Sequence, residues 1–240
     1  DFDADGGLDF FRIKWSTSTG GDPNQRLYSS RSDSISRYQP RDVIMRITNG
    51  FGAKTELAYQ PLTIKSIYLR DANSRNSLNW GRGSPVQDLL APMYVVAMAR
   101  SSAPTYNNAA ALSTLYYRYA GAKMQAGGRG YLGFREITTF DVNYGGKYIA
   151  STTQYAQNFP FTGSPMSTSR RVINGTYAPD ACYSLITDSC FSTPGTTFPA
   201  LGGTQVAYSS HVWESAPAFN PAVQEPLHSR TAGTQDEQFD

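Results

Sequence analysis

Polar and apolar positions alternate in short runs along this chain, and the runs end at clusters of Gly, Asn, Ser, Asp or Pro. Alternation of period two predicts half-buried strands, and such clusters predict the turns between them. The stretch Leu115 to Phe140 organises the pattern: a run of aromatic and polar residues, a glycine-studded bend from Gly121 to Gly133, then an aromatic and β-branched run. Two paired strands are expected, with the glycines at positive φ or in close backbone packing. Asp42 to Thr48 and Ala53 to Gln60 form the clearest hairpin, joined by Asn49-Gly50-Phe51-Gly52. Met93 to Ala99 is a further strand, and Asn143-Tyr144-Gly145-Gly146 turns the chain into Lys147 to Gln157, so that 115–157 reads as a three-stranded meander. Short strands are expected at 170–177, 183–187 and 205–213, with polar connections at 17–40 and 69–83. Only 85–90 and 109–114 have helical potential, and both are short. The pattern predicts an all-β chain of antiparallel hairpins and meanders.

Composition agrees. Among 240 residues are 16 Tyr, 12 Phe, 21 Gly and 14 Pro, with aromatics at 13% and charged residues at 17%; disordered chains lack such aromatics. The 21 basic and 19 acidic side chains are scattered, leaving no basic stripe for nucleic acid. The longest apolar run, near Met93 to Ala99, falls far short of the roughly 18 residues of a membrane helix. No signal segment opens the chain, so any export would be directed from elsewhere.

The most specific chemistry lies at the start. Asp1, Asp3, Asp5 and Asp9, with Gly6 between, have the spacing by which a tight loop wraps hard oxygen ligands around Ca²⁺, and Gly7 can add its carbonyl. An EF-hand would continue to a glutamate where Arg12 stands, and Phe10, Phe11, Ile13 and Trp15 read as a strand. The alternative is an acidic turn without metal, disfavoured by the repulsion of four close carboxylates. Cys182 and Cys190, with seven residues between them, suit either a disulfide-closed loop or two reduced structural thiols.

Other chemistry is sparse. Gly128-Arg129-Gly130-Tyr131-Leu132-Gly133 matches a dinucleotide fingerprint, but strand formers rather than a helix follow it. His211 sits in an alternating strand and His228 in a polar tail, and neither has an accompanying nucleophile motif. Glu136 and Asp141 near Arg135 could pair for hydrolysis, although charges on a strand are usually its solvated face. Asn174-Gly175-Thr176 is a glycosylation sequon by pattern alone.

The loop at 1–9, ITNGFGAKTELAYQPLT at 47–63, MYVVAMARS at 93–101, YYRYAGAKMQAGGRGYLGFREITTFD at 116–141 and TQYAQNFPFTGSP at 153–165 together resemble the region between the FG-GAP propeller and the YD repeats in bacterial Tc-toxin B subunits, SpvB/TcdB-type proteins and related Rhs/YD-repeat proteins. The resemblance covers about residues 1–165. It implies the end of an FG-GAP-like calcium-loop blade at 1–16, a connection at 17–40, a β-rich shell segment at 41–228 and an approach to YD repeats at 229–240. It further implies a non-enzymatic part of a secreted toxin-delivery protein, whose β-sheet shell encloses a toxic C-terminal region and whose partners are other segments of the same polypeptide and a delivery-channel subunit. The residues alone also allow a calcium-dependent adhesion or carbohydrate-binding β module of a bacterial surface protein, and, more distantly, a hydrolase.

Overall fold

The turn at Asn49 shows how local chemistry builds this fold. Its Oδ1 accepts the amides of Phe51 (3.0 Å) and Ala53 (2.9 Å), while the Gly52 amide donates to the Asn49 carbonyl at 3.0 Å. Gly52, not Gly50, takes the positive φ, +83°. The computed structural model describes residues 10–12, 26–28, 43–71, 86–89, 91, 93–126, 128–179, 201–215 and 229–238.

These residues form strands and no helix. In chain order they are β1 (Phe10–Arg12), β2 (Arg26–Tyr28), β3 (Arg46–Thr48), β4 (Lys54–Pro61) and β5 (Tyr68–Leu69). There follow β6 (Val86–Asp88), β7 (Tyr94–Ser102), β8 (Leu112–Ala120), β9 (Lys123–Gln125) and β10 (Gly130–Gly133). Last come β11 (Glu136–Tyr144), β12 (Lys147–Tyr155), β13 (Pro165–Asn174), β14 (Thr204–Ser215) and β15 (Ser229–Gln238). β1 and β2 make a two-stranded sheet; β10, β9 and β6 a three-stranded one; and the rest one ten-stranded sheet in the order β15-β14-β13-β12-β11-β8-β7-β4-β3, with β5 added beside β8. The pairing is antiparallel except for β5, whose Tyr68 and Leu69 run parallel to Tyr119 and Ala120. This open sheet closes into no barrel or propeller among the described residues.

The expected pairing around the glycine bend is present: Phe140 lies opposite Tyr116 and Ile137 opposite Tyr119. The meander is also present, since β8, β11 and β12 are successive neighbours and Gly145-Gly146 joins β11 to β12. The bend, however, carries its own hairpin, β9 and β10, which leaves the main sheet to pair with β6. Gly128 to Gly133 is therefore turn and strand, with no helix to hold a pyrophosphate. The segments with helical potential also resolve otherwise. Val86–Asp88 pairs with β9, and 109–111 form a turn before β8 begins at Leu112, because so few residues cannot offset the nucleation cost of a helix. Leu69, expected in a polar loop, is buried in β5.

The core lies where Pro61 to Leu69 folds against one end of the sheet. The Ile64 amide donates to the Pro61 carbonyl at 3.1 Å, and the amides of Ile67 and Tyr68 donate to the Ile64 carbonyl. These successive turns bury Leu62, Ile64, Ile67 and Tyr68 completely, against Ala97, Tyr119 and Ala122. Each such aliphatic side chain contributes about 1.5–3 kcal/mol on leaving water. Farther along the sheet, Phe140 stacks on Tyr177 (4.7 Å between centroids) with the Arg118 guanidinium 4.9 Å from its ring. Thr138 with Thr152 and Thr153 with Thr168 join hydroxyls across neighbouring strands.

Candidate functional site

The densest buried chemistry among the described residues lies where the small sheet meets the core. Lys123 opens β9 and points between two carboxylates: its Nζ donates to Asp88 Oδ1 at 2.7 Å and to Asp71 Oδ2 at 3.0 Å. The side chains of Lys123 and Asp88 are each 3% exposed and that of Asp71 10%. On the far side, Arg135 donates through Nε (3.2 Å) and Nη2 (3.1 Å) to Asp71 Oδ1, and through Nη1 to Glu136 Oε2 at 3.3 Å. Gln154 adds a donor to the same Glu136 oxygen. The network thus ties Asp71, two residues past β5, to β6, β9, β11 and β12.

Gly121 makes this approach feasible. At φ +62°, a Cβ here would lie 2.8 Å from Asp71 Oδ2 and 2.9 Å from Arg135 Cβ, so only glycine lets the backbone pass. Gln157 Nε2 donates to the carbonyls of Gly121 (2.6 Å) and Gly133 (2.8 Å), holding both ends of the excursion.

Tyrosine hydroxyls complete the junction. Tyr68 donates to the Leu89 carbonyl at 2.7 Å and accepts the Ala122 amide at 3.1 Å; Tyr119 donates to the Val96 carbonyl at 2.7 Å. Burial pushes both phenols well above their usual range, and for Tyr68 the nearby Asp71 and Asp88 charges add to the rise against the lowering by the Ala122 amide. Partial desolvation also raises Tyr131, which is about half exposed, to about 12. Phe134 packs on Tyr119 (4.7 Å), Tyr68 (6.3 Å) and Tyr131 (6.0 Å). Cations held by carboxylates, and phenols kept neutral as donors, suit an anchor between two sheets.

Of the residues singled out from sequence, Arg135 and Glu136 belong to this network. Asp1, Asp3, Asp5, Gly7 and Asp9 lie outside the described residues, as do Cys182, Cys190 and His228. The donor set of the 1–9 loop, carboxylates with a carbonyl, has the hard-oxygen chemistry of Ca²⁺. Among the described residues no three His, Cys, Asp or Glu side chains converge to hold a metal. His211 is half-buried on β14 opposite Thr234. Glu136 and Asp141 share β11 at an odd separation, hence on opposite faces; Asp141 is bonded by Asn143, so the two form no carboxylate pair. Asn174 is exposed at the end of β13.

Sequence reasoning missed Asp71, Asp88 and Lys123. The available signal was a lysine between Ala122 and Met124 in a stretch otherwise free of acidic side chains, with its partners 35 and 52 positions upstream.

Neither a curated protein nor a solved structure matches the chain. The family model described as the insecticide toxin TcdB middle/N-terminal region matches residues 1–163, which include the core, the buried ion network and the meander through β12. The chain therefore belongs to the insecticide toxin TcdB middle/N-terminal region family.

Proposed function

We propose that this chain is a non-enzymatic wall segment of a secreted Tc/Rhs-type toxin-delivery protein, helping to build a β-sheet shell around a toxic C-terminal region. The observation that carries this reading is the sheet itself. From β11 to β14 the strands follow one another in chain order, and along β12 and β13 most residues on both faces are only half-buried. A sheet packed on both sides would read as buried, and one exposed side would alternate with a buried one; a curved wall between two environments needs neither. Residues 1–16 would be the end of an FG-GAP-like blade, with Ca²⁺ held by Asp1, Asp3, Asp5 and Asp9 and the Gly7 carbonyl. Residues 17–40 would connect it to the wall at 41–228, and 229–240 would lead to YD repeats. The partners would be the rest of the same polypeptide, its C-terminal region and a delivery-channel subunit.

Protease protection of the C-terminal region in the parent polypeptide tests the role. The region should survive digestion, and Phe140→Asp in the wall should expose it; a region cut equally fast in both forms, or protected equally in both, refutes the wall reading. For the calcium loop, calorimetric titration of the parent should show binding that Asp3→Ala or Asp5→Ala abolishes, and unchanged affinity in both removes the metal.

A further inference from the structure

Three hairpin tips emerge side by side from one end of the main sheet. Residues 49–53 join β3 to β4, 103–111 join β7 to β8, and Gly145-Gly146 join β11 to β12. Their adjacency follows from the register, with Thr55 opposite Ser101 and Ser102 opposite Leu112. It also follows from cross-tip bonds: the Lys54 amide to Ser102 Oγ (2.8 Å) and the Thr114 amide to Asn143 Oδ1 (3.0 Å). Two strand spacings separate successive tips, about 10 Å.

Each tip carries an exposed aromatic ring. Phe51 is 100% exposed, Tyr106 104% and Tyr144 47%, with Leu112 beside Tyr106 at 40%. The turns beneath are internally bonded: Asn49 caps its own turn, and Thr105 and Asn108 exchange amide–carbonyl bonds at 3.0 and 3.1 Å. The rings are therefore presented by ordered turns. Residues 49–54, 103–112 and 143–147 contain no acidic side chain, and Lys54 and Lys147 are exposed there.

We propose that this end of the sheet is a lipid-contact edge that inserts Phe51, Tyr106 and Tyr144 into the interface of an anionic membrane, with Lys54 and Lys147 against its headgroups. Rings with an apolar body at the boundary and lysines over anionic lipid are the two contributions such contacts combine. The spacing favours lipid over a folded partner: single rings about 10 Å apart would each need a separate pocket in a protein, whereas a fluid interface makes no such demand. The inference does not rest on the wall reading.

Co-sedimentation of the 240-residue chain with vesicles of phosphatidylcholine alone, or with about 30% phosphatidylserine, tests it. The chain should bind the anionic vesicles more tightly, and added salt should weaken that preference. Phe51→Ser with Tyr106→Ser should lower partitioning about tenfold or more. Lys54→Gln with Lys147→Gln should cut the preference for anionic lipid by about fivefold per lysine. Both double variants should keep the melting temperature, since the side chains removed are exposed and the turn bonds remain. Absence of vesicle binding by the wild-type chain, or undiminished binding by the Phe51→Ser/Tyr106→Ser variant, overturns the proposal.

Discussion

Replacing Lys123 by methionine keeps the length of the side chain and removes its charge from the junction of the two sheets. Unit charges 2.7 and 3.0 Å apart attract by about 6 kcal/mol each at an effective dielectric of about 20. Desolvating the ions costs several kcal/mol each, so the intact network contributes little net stability. Breaking it is different. Asp71 keeps Arg135, but Asp88 loses Lys123, and its Oδ2 is already buried without a hydrogen-bond partner. Leaving a charge buried and unpaired costs about 3–5 kcal/mol, a large part of the roughly 5–15 kcal/mol that holds a domain folded. Urea unfolding should show that loss for Lys123→Met. Adding Asp88→Asn removes the stranded charge and should recover at least about 1 kcal/mol, the signature of coupling in a double-mutant cycle. The surface pair Arg46–Glu56, with a similar 2.9 Å separation but an arginine 64% exposed, is the control: Arg46→Met should cost no more than about 1 kcal/mol. A loss below about 1 kcal/mol for Lys123→Met, or a double variant weaker than the single one, would refute this account of the anchor.

Alkaline pH should probe the two buried phenols. Because their folded-state pKa values lie above the unfolded value of about 10, their contribution is complete below that pH, and above it stability should fall by about 1.4 kcal/mol per pH unit for each of Tyr68 and Tyr119. Tyr68→Phe should cost about 1–3 kcal/mol at neutral pH through its two lost hydrogen bonds, and make the alkaline slope shallower by one tyrosine's share; an unchanged slope in denaturant titrations across pH contradicts the assignment. At the glycine excursion, Gly130→Val should cost about 1–3 kcal/mol through φ +71° alone, since nothing lies within 4 Å of a Cβ there. Gly121→Val should cost more, because it also collides with Asp71 and Arg135. Equal melting temperatures for the two variants would show that the collision relaxes freely.

The elements that could be read from sequence are those whose cause is local. Asn49-Gly50-Phe51-Gly52 and Gly145-Gly146 turn the chain because of residues within the turn itself, and the alternation beside them fixes which strands follow. The positive φ at Gly121 and Gly130 is local in the same sense. What a Cβ would meet is not local: it would collide at Gly121 and meet nothing within 4 Å at Gly130, since that depends on segments far along the chain. The run Leu62 to Leu69, the centre of the core, left no such local trace. Two tight turns interrupt its periodicity, and its single parallel pairing, with β8, is a contact across some 50 positions.

The ion network marks the limit most clearly. Arg135 and Glu136 read as the solvated face of a strand, which is the usual fate of charges at such positions. What places Arg135 and Lys123 against carboxylates is the excursion of residues 121–133 out of the main sheet, which carries Lys123 to Asp88 on β6 and lays Gly121 over Asp71. Partners 35, 52 and 64 positions apart leave no periodic trace, whereas the residue that permits them, a glycine at a strand end, does. Bringing distant charges together also costs chain entropy before any contact compensates it. The pairing of β11 with β8 and the packing of Phe134 on Tyr119 must therefore supply the driving force, and the ions then select one seating of the small sheet, because any other would leave a buried carboxylate unpaired.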